Sequence, residues 1–208
     1  HADNLLIQKE AATLPDGFSM SSALPADRKS TLVLSTDMLN ESGLGKLDLN
    51  VNGNITFASS TDLELAPGST VTVIGYLPGK SVVIDGSIRL PGGTFSLSAQ
   101  GATTVKAGAI IDVSGLWTNH LTSPLSTPIA VNGGKIELGG ALNFETGSVL
   151  DVSAGAWLYS TRKLKLGSAG SIVITSRNVG LDLSRVALRG YGVATGSEAV
   201  ISAGGTLT

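Results

Sequence analysis

Hydrophobic and polar residues alternate along most of the chain in many short stretches. Leu47, Leu49 and Val51 point one way while the polar residues between them point the other, which is the period of two expected of a half-buried strand. Seven stretches follow one formula of glycine, polar, apolar, polar, apolar, and they begin at Gly45, Gly53, Gly86, Gly93, Gly134, Gly140 and Gly170. The pattern predicts an all-β chain whose corners use glycines of positive φ.

A longer unit recurs at a nearly constant interval. Gly108-Ala-Ile-Ile-Asp-Val-Ser-Gly115 reappears as Gly147-Ser-Val-Leu-Asp-Val-Ser-Ala-Gly155 and, more loosely, at Gly68–Gly75, so the step from one first glycine to the next is almost the same both times. Recurrence of this kind is typical of chains that stack similar units. The following residues are therefore interpreted as structural turn and repeat positions: Gly68, Gly108, Asp112, Gly115, Gly147, Asp151 and Gly155.

Two architectures use many short strands, a sandwich or barrel and a β-solenoid. Hairpin turns of a sandwich would fit at Asn52-Gly53, Asp85-Gly86 and Asn132-Gly133. The interval, the Ile/Leu/Val-rich interior and an aromatic content of only 4% favour the solenoid, with two coils per interval. We therefore predict a parallel β-helix.

The chain divides into an entry segment and a repeat region. Residues 1–30 read as irregular, and residues 31–208 read as one body of β-helix repeats. Between Ser35 and Gly43, capping residues, a short apolar pair and a glycine stop predict one helical turn. Residues 116–130 and 156–165 break the rhythm and are predicted to be extruded loops near one edge of the rod, two coils apart.

Composition narrows the function classes. Charged residues make up 14% of the 208 residues, hydrophobic residues 42%, and the mean hydropathy is +0.28, values that exclude a disordered chain. A net charge of −2 argues against a nucleic-acid partner. Without cysteine there is no disulfide or thiolate metal site, and no apolar run approaches the ~18 residues that membrane insertion needs.

Catalytic groups are sparse. Asp112 and Asp151 occupy the same repeat position and are candidates for the paired carboxylates of glycoside hydrolysis. The favoured interpretation is that they bond local backbone in turns, as Asp85 and Asp182 also would. Ser114 and Ser153 lack the strand-turn-helix context of a nucleophile. We predict no catalytic residue, no metal and no cofactor.

The two predicted loops hold the candidate binding residues. Trp117, Trp157 and Tyr159 can stack on sugar rings or insert into a protein partner. A second set consists of the loop histidine and the cations suited to an anionic polymer, namely His120, Arg162, Lys163 and Lys165. The alternative is that the aromatic residues cover coil ends and the cations form a solvated strand face.

The chain resembles the filamentous haemagglutinin-like exoproteins of bacterial two-partner secretion. The similar residues are the Asp-Val-Ser-Gly repeats, the run Leu39–Leu49, and Leu188-Arg-Gly-Tyr-Gly-Val193 leading into residues 197–205. The resemblance implies a right-handed parallel β-helix at the bacterial cell surface, exported by an outer-membrane secretion partner. The secretion signature that the family has near its N-terminus is not visible, which indicates an internal segment.

From the residues and the resemblance together we expect a non-enzymatic structural and adhesive segment of a large secreted adhesin. Such a segment would serve cell-cell or cell-matrix attachment, for example in a biofilm, and its loops would bind a glycan, an exopolysaccharide or a surface receptor. Two alternatives remain open at this point: a β-helical polysaccharide lyase or hydrolase, and a passive spacer of a surface rod.

Overall fold

The computed structural model describes residues 3–11, 13–120, 127–178, 180–194 and 203–208. Strands account for 46% of the structure and helix for 4%, so the prediction of an all-β fold is confirmed. The predicted helical turn is also confirmed, as helix α1 (Thr36–Glu41), and a short 3-10 helix spans Ala26–Arg28. No helix among these residues is long and apolar enough to cross a bilayer.

The strands are short and follow one another along the whole described chain. They are β1 (Asn4–Gln8), β2 (Thr31–Ser35), β3 (Lys46–Val51), β4 (Ile55–Phe57), β5 (Asp62–Glu64), β6 (Thr70–Gly75), β7 (Val82–Ile84), β8 (Ser87–Arg89), β9 (Thr94–Val105), β10 (Ile110–Asp112), β11 (Trp117–His120), β12 (Lys135–Phe144), β13 (Ser148–Asp151), β14 (Ala156–Tyr159), β15 (Leu164–Leu166), β16 (Ser171–Ser176), β17 (Val186–Arg189) and β18 (Thr206–Leu207).

Most of these strands pair in parallel in three ladders. Ladder 1 runs in the order β3, β6, the first half of β9, the first half of β12, β16 and β18. Ladder 2 runs β2, β1, β4, β7, then the second halves of β9 and β12. Ladder 3 runs β5, β8, β10, β13 and β17. The chain therefore visits the three ladders in turn.

Buried side chains stack in columns inside each ladder, because in-register parallel strands place like positions about 4.8 Å apart. The column of ladder 1 contains Leu47, Val71, Phe95, Ile136 and Ile172. The column of ladder 2 contains Ile7, Phe57, Ile84, Val105 and Phe144. The column of ladder 3 contains Leu63, Ile88, Ile111, Leu150 and Leu188. The core is thus aliphatic with three buried phenylalanines, which the low aromatic content did not predict.

Two kinds of glycine make the corners. Gly108 and Gly147 have φ of +80° and +96°, in the left-handed region that favours glycine. Gly134 has no positive φ, but a Cβ built on it would lie 1.9 Å from the carbonyl oxygen of Gly93. The formula glycines were predicted to need positive φ. Of them only Gly140 has it, and most of the others are required by close backbone approach instead.

The coil length agrees with the prediction, but the interpretation of the interval does not. In ladder 1, strands β3, β6 and β9 begin at Lys46, Thr70 and Thr94, a constant step that is close to half of the interval, as two coils per interval require. The Gly108 and Gly147 units are direct neighbours in ladder 3, with Asp112 in register with Asp151, so the interval between them is one repeat with an insertion and not two coils. The looser copy at Gly68 precedes β6 of ladder 1 and belongs to a different ladder.

The entry segment is not irregular throughout. Asn4–Gln8 forms β1, which lies between β2 and β4 in ladder 2 and buries Leu5 and Ile7. The alternation in this stretch is confined to one short strand, and both of its partners lie far along the chain. Its place in the sheet was therefore not visible from local pattern.

Candidate functional site

The binding residues predicted from sequence meet on one small sheet. Its central strand is β14, with β11 parallel on one side and β15 antiparallel on the other. The prediction of extruded loops at 116–130 and 156–165 is corrected, because Trp117–His120 and Ala156–Tyr159 pair as parallel strands and Leu164–Leu166 adds a third strand. The two segments are adjacent in this sheet and not two coils apart.

A tight turn joins β14 to β15. The backbone N–H of Arg162 donates to the carbonyl of Tyr159 at 2.9 Å, and the N–H of Tyr159 donates to the carbonyl of Lys163 at 2.9 Å. Arg162 has a φ of +62°, an uncommon conformation for a residue with a side chain. Arg162 and Lys163 therefore lie at the tip of a hairpin.

The two tryptophans lie on opposite faces of this sheet. Trp117 is in register with Ala156, and Trp157 is in register with Thr118. Because successive side chains of a strand point to opposite faces, Trp117 shares its face with Leu158, and Trp157 shares the other with Tyr159. Trp117 is 67% exposed and Trp157 is 4% exposed. The prediction that Trp157 stacks on a sugar is wrong, since its ring is buried.

Trp117 forms one wall of an apolar pocket of about 250 Å³. Ala156, Leu158 and Leu164 also line it, and Asn119, another lining residue, lies on the same face as Trp117. An exposed aromatic ring with aliphatic residues and one amide beside it is the composition of a site that binds a partly apolar ligand.

Leu158, Leu164 and Asn119 were missed as candidates because they are not residues that attract attention alone. A pattern that would have paired the two leucines is present. Residues 156–159 are a short apolar run and residues 164–166 alternate, and a short polar turn separates them, which is consistent with a hairpin. A hairpin register places Leu158 opposite Leu164, as observed.

The remaining predicted residues are distributed around the same sheet. His120 pairs with Tyr159 in the backbone register, and its side chain lies outside the described part of the structure. Arg162, Lys163 and Lys165 are exposed. Within the described ranges these three cations make no ion pair, so their charge faces solvent.

The aspartates of the repeated unit are held in turns. Asp112 accepts a hydrogen bond from the N–H of Ser114 at 2.8 Å, and Asp151 accepts one from Ser153 at 2.9 Å. Their second oxygens face Arg89 at 3.4 Å and Arg189 at 3.8 Å, respectively. The predicted local backbone bonds are confirmed at both positions, and the two carboxylates already have partners.

Asp182 repeats this turn geometry at a third position. Its carboxylate accepts hydrogen bonds from the Ser184 hydroxyl at 2.6 Å and from the Ser184 N–H at 3.0 Å. These two bonds, with the nearby Arg185, hold the pKa of Asp182 below its ordinary value. No contact among the described residues defines a matching role for Asp85, which stays a prediction.

An ion pair joins the corners that precede the two copies of the unit. The Lys106 ammonium lies 2.7 Å from Glu145, whose other oxygen accepts the N–H of Ala107 at 3.2 Å. The bond to Lys106, followed by the bond from Ala107, lowers the pKa of Glu145, and the same carboxylate raises the pKa of Lys106.

Comparisons with known proteins found no match. No protein-family model, no characterised protein and no solved structure matches it. Within the described residues, no group of three or more His, Asp or Glu side chains is placed to hold a metal ion. The small sheet and its pocket are therefore the basis on which a function can be proposed.

Proposed function

We propose that the three ladders are the faces of a right-handed parallel β-helix. The constant step between β3, β6 and β9 and the in-register aliphatic columns support this proposal. Parallel strands joined by crossovers in one sheet are right-handed in about 98% of cases, which supports the hand. A rod of this kind presents insertions, such as the small sheet, at a set distance from its ends.

The function that the site supports best is adhesion through a glycan. The chain is then a non-enzymatic segment of a secreted bacterial surface protein, and the small sheet is its contact point. The observation behind this proposal is the Trp117 ring, 67% exposed above the pocket formed by Ala156, Leu158 and Leu164. The apolar face of a sugar ring covers such a surface, while its hydroxyls reach the Asn119 amide.

Exposed cations extend this surface toward charged glycans. Arg162 and Lys163 place positive charge at the hairpin tip, and Lys165, in register with Trp157, places it on the face opposite to Trp117. Attraction between exposed charges is weak at physiological salt and falls within a Debye length of about 8 Å. These cations therefore raise the association rate of anionic exopolysaccharides and the selectivity for them, while Trp117 supplies the contact area.

The test is titration of the purified chain with a panel of neutral and anionic exopolysaccharides, followed by calorimetry. Trp117→Ala is expected to abolish binding, because it removes the exposed wall of the pocket. Tyr191→Ala is the matched control, since Tyr191 is equally exposed at 67% and does not line the pocket. Release of reducing ends from any polymer would instead establish the hydrolase or lyase. Absence of binding across the panel would leave the passive spacer.

A further inference from the structure

Strand β3 has a free edge in the described structure. Its only strand partner among those residues is β6. The N–H of Thr70 donates to the carbonyl of Gly45 at 3.0 Å and the N–H of Tyr76 to that of Val51 at 3.1 Å. Odd-numbered residues of β3 therefore direct their backbone groups toward β6. The N–H and C=O groups of Lys46, Asp48 and Asn50 point the other way, toward the edge.

The other two ladders differ from ladder 1 at this end. In ladder 3 the Asn40 side chain of α1 donates to the carbonyl of Asp62 at 2.9 Å and accepts from the N–H of Glu64 at 2.8 Å, which closes the edge of β5. Ladder 2 continues past β4 with β1 and β2. Ladder 1 stops earlier, at a strand that no described segment covers, a feature that proteins usually avoid.

A groove of about 340 Å³ lies along this edge. One side is β3, and the other is formed by β1 and β2, with Leu5, Leu32 and Leu34 contributing apolar surface. Leu32 is 51% exposed. Beyond Asn52 the chain turns at Gly53, where a Cβ would lie only 2.2 Å from the carbonyl oxygen of Asp3. The groove is therefore a trough along residues 48–52, with backbone donors and acceptors of β3 along one side.

We propose that this groove binds an extended peptide segment of a partner protein, which adds to ladder 1 as a strand beside β3. Backbone hydrogen bonds to a free sheet edge are the means by which such segments bind. The N–H and C=O groups of an extended peptide recur at the same spacing as the free groups of β3 and can pair with them. The hydroxyls of a sugar do not recur at this spacing. The site is separate from the Trp117 pocket and does not depend on the glycan proposal.

The register defines the chemistry of the segment. Positions opposite Leu47, Leu49 and Val51 face the apolar wall and take apolar side chains. Two carboxylates, Asp3 and Asp48, line the groove, and one cation, Lys46, pairs with Asp48 at 2.8 Å. Because negative charge is in excess, the position opposite Asp48 takes lysine or arginine. Opposite charges directly across two strands are favourable, and like charges are unfavourable.

The first experiment uses the chain as it is and a labelled peptide of sequence threonine-valine-lysine-valine-threonine-valine. Fluorescence anisotropy is expected to show saturable binding. A peptide N-methylated at the amides of one edge is expected to bind about tenfold more weakly, since it loses the backbone hydrogen bonds that those amides would donate to β3. Equal binding of the methylated peptide would overturn the proposal, because it would show that backbone pairing is not used.

The second experiment exchanges charge across the new pair. Asp48→Lys is expected to reverse the preference, so that a peptide with glutamate in place of lysine binds several-fold better than the original. Glu41→Lys makes the same charge change on α1 outside the groove and is expected to keep the original preference. Circular dichroism confirms that each variant is folded. An unchanged preference in Asp48→Lys would remove the groove as the site.

Two further measurements are needed. One distinguishes a peptide from a second copy of the chain as the occupant of the groove, and the other distinguishes the groove proposal from the glycan proposal. Sedimentation without peptide is expected to show a monomer; self-association that the peptide reverses would assign the groove to a second copy and overturn the proposal. Trp117→Ala is expected to bind the peptide normally. Loss of glycan binding while peptide binding stays intact would therefore bear only on the glycan proposal. Loss of peptide binding while glycan binding stays intact would bear only on the groove proposal.

Discussion

The two copies of the repeated unit share a sequence but not the fate of their tryptophan. In register, Asp112 lies beside Asp151 and Trp117 beside Ala156, so the offset between the copies is the same at both places. The second copy contains one more residue before its tryptophan, Ala154, so Trp157 falls one position later than Trp117. A one-residue shift moves a side chain to the other face of a strand. One insertion thus exposes one indole and buries the other.

The difference shows how repeat chains acquire sites. The aspartate turn recurs in both copies, each carboxylate faces an arginine, Arg89 or Arg189, and Ile111 and Leu150 share one column. Beyond the corner the strands leave the ladders, so an added residue changes which side chains face outward without disturbing the core. Function is free to vary in the small sheet, while the units beneath it stay alike.

The largest expected effect is a difference in the free energy of unfolding between the alanine variants of the two tryptophans. Trp157→Ala is expected to lower the free energy of unfolding by about 3–5 kcal/mol, because it removes a buried indole and leaves a cavity. Trp117→Ala is expected to change it by no more than about 0.5 kcal/mol, as at other exposed sites. Urea denaturation of both variants measures this. Equal losses would mean that Trp117 is also packed and is not available to a ligand.

The next effect tests the glycines that let the copies lie close. A Cβ on Gly155 would lie 2.1 Å from the carbonyl oxygen of Leu116. Gly155→Ala is therefore expected to cost about 1–3 kcal/mol through displaced backbone. Gly108 has open space but a φ of +80°, so Gly108→Ala is expected to cost about 1 kcal/mol through strain. Thermal denaturation should rank Gly155→Ala below Gly108→Ala, and the reverse order would argue against close approach at this corner.

A smaller effect is expected at the paired aspartates. Asp112→Ala loses the bond to the Ser114 N–H and is expected to destabilise by about 1 kcal/mol. Asp112→Asn keeps an acceptor oxygen and removes one of two neighbouring negative charges, so it should cost less. Chemical denaturation of the two variants compares them. An asparagine variant that is destabilised as much as the alanine variant would show that the ion pair with Arg89 matters more than the turn.

The smallest effect concerns the Lys106–Glu145 pair that joins the two corners. The pKa of Glu145 is lowered on folding, so its contribution is present above the unfolded value of about 4.3 and is lost as pH falls through the folded pKa. The difference in melting temperature between the native chain and Glu145→Gln should therefore be greatest near neutral pH and should shrink below about pH 4. A difference that is constant with pH would mean that the pair does not contribute through charge.

Much of the fold was predictable because its cause is local. Alternation along residues 46–51 gives a strand wherever one face is buried, and Ser35 caps α1 through the Met38 N–H at 3.4 Å. The Asp-Val-Ser turns were predicted for the same reason, since each aspartate bonds a residue two positions away. In the candidate site, residue type and composition were enough to predict Trp117, Arg162, Lys163 and Lys165 as binding residues.

The rest depended on which strands meet. The family resemblance stays a prediction, since no family model matches the chain. Leu158, Leu164 and Asn119 became one pocket only because β11 and β14, which are distant in the chain, pair in register. Neither β1 in ladder 2 nor the groove beside β3 follows from local pattern, because both arise from contacts far apart in the chain.

The short half-buried strands, the glycine corners and the aspartate turns follow from the amino-acid sequence, since those features depend on neighbouring residues. Only the fold shows that the two units are direct neighbours, that Trp117 is exposed while Trp157 is buried, and that among the described residues β3 ends ladder 1 with a free edge. Side-chain direction in a strand depends on register, and register is set by pairing between distant segments.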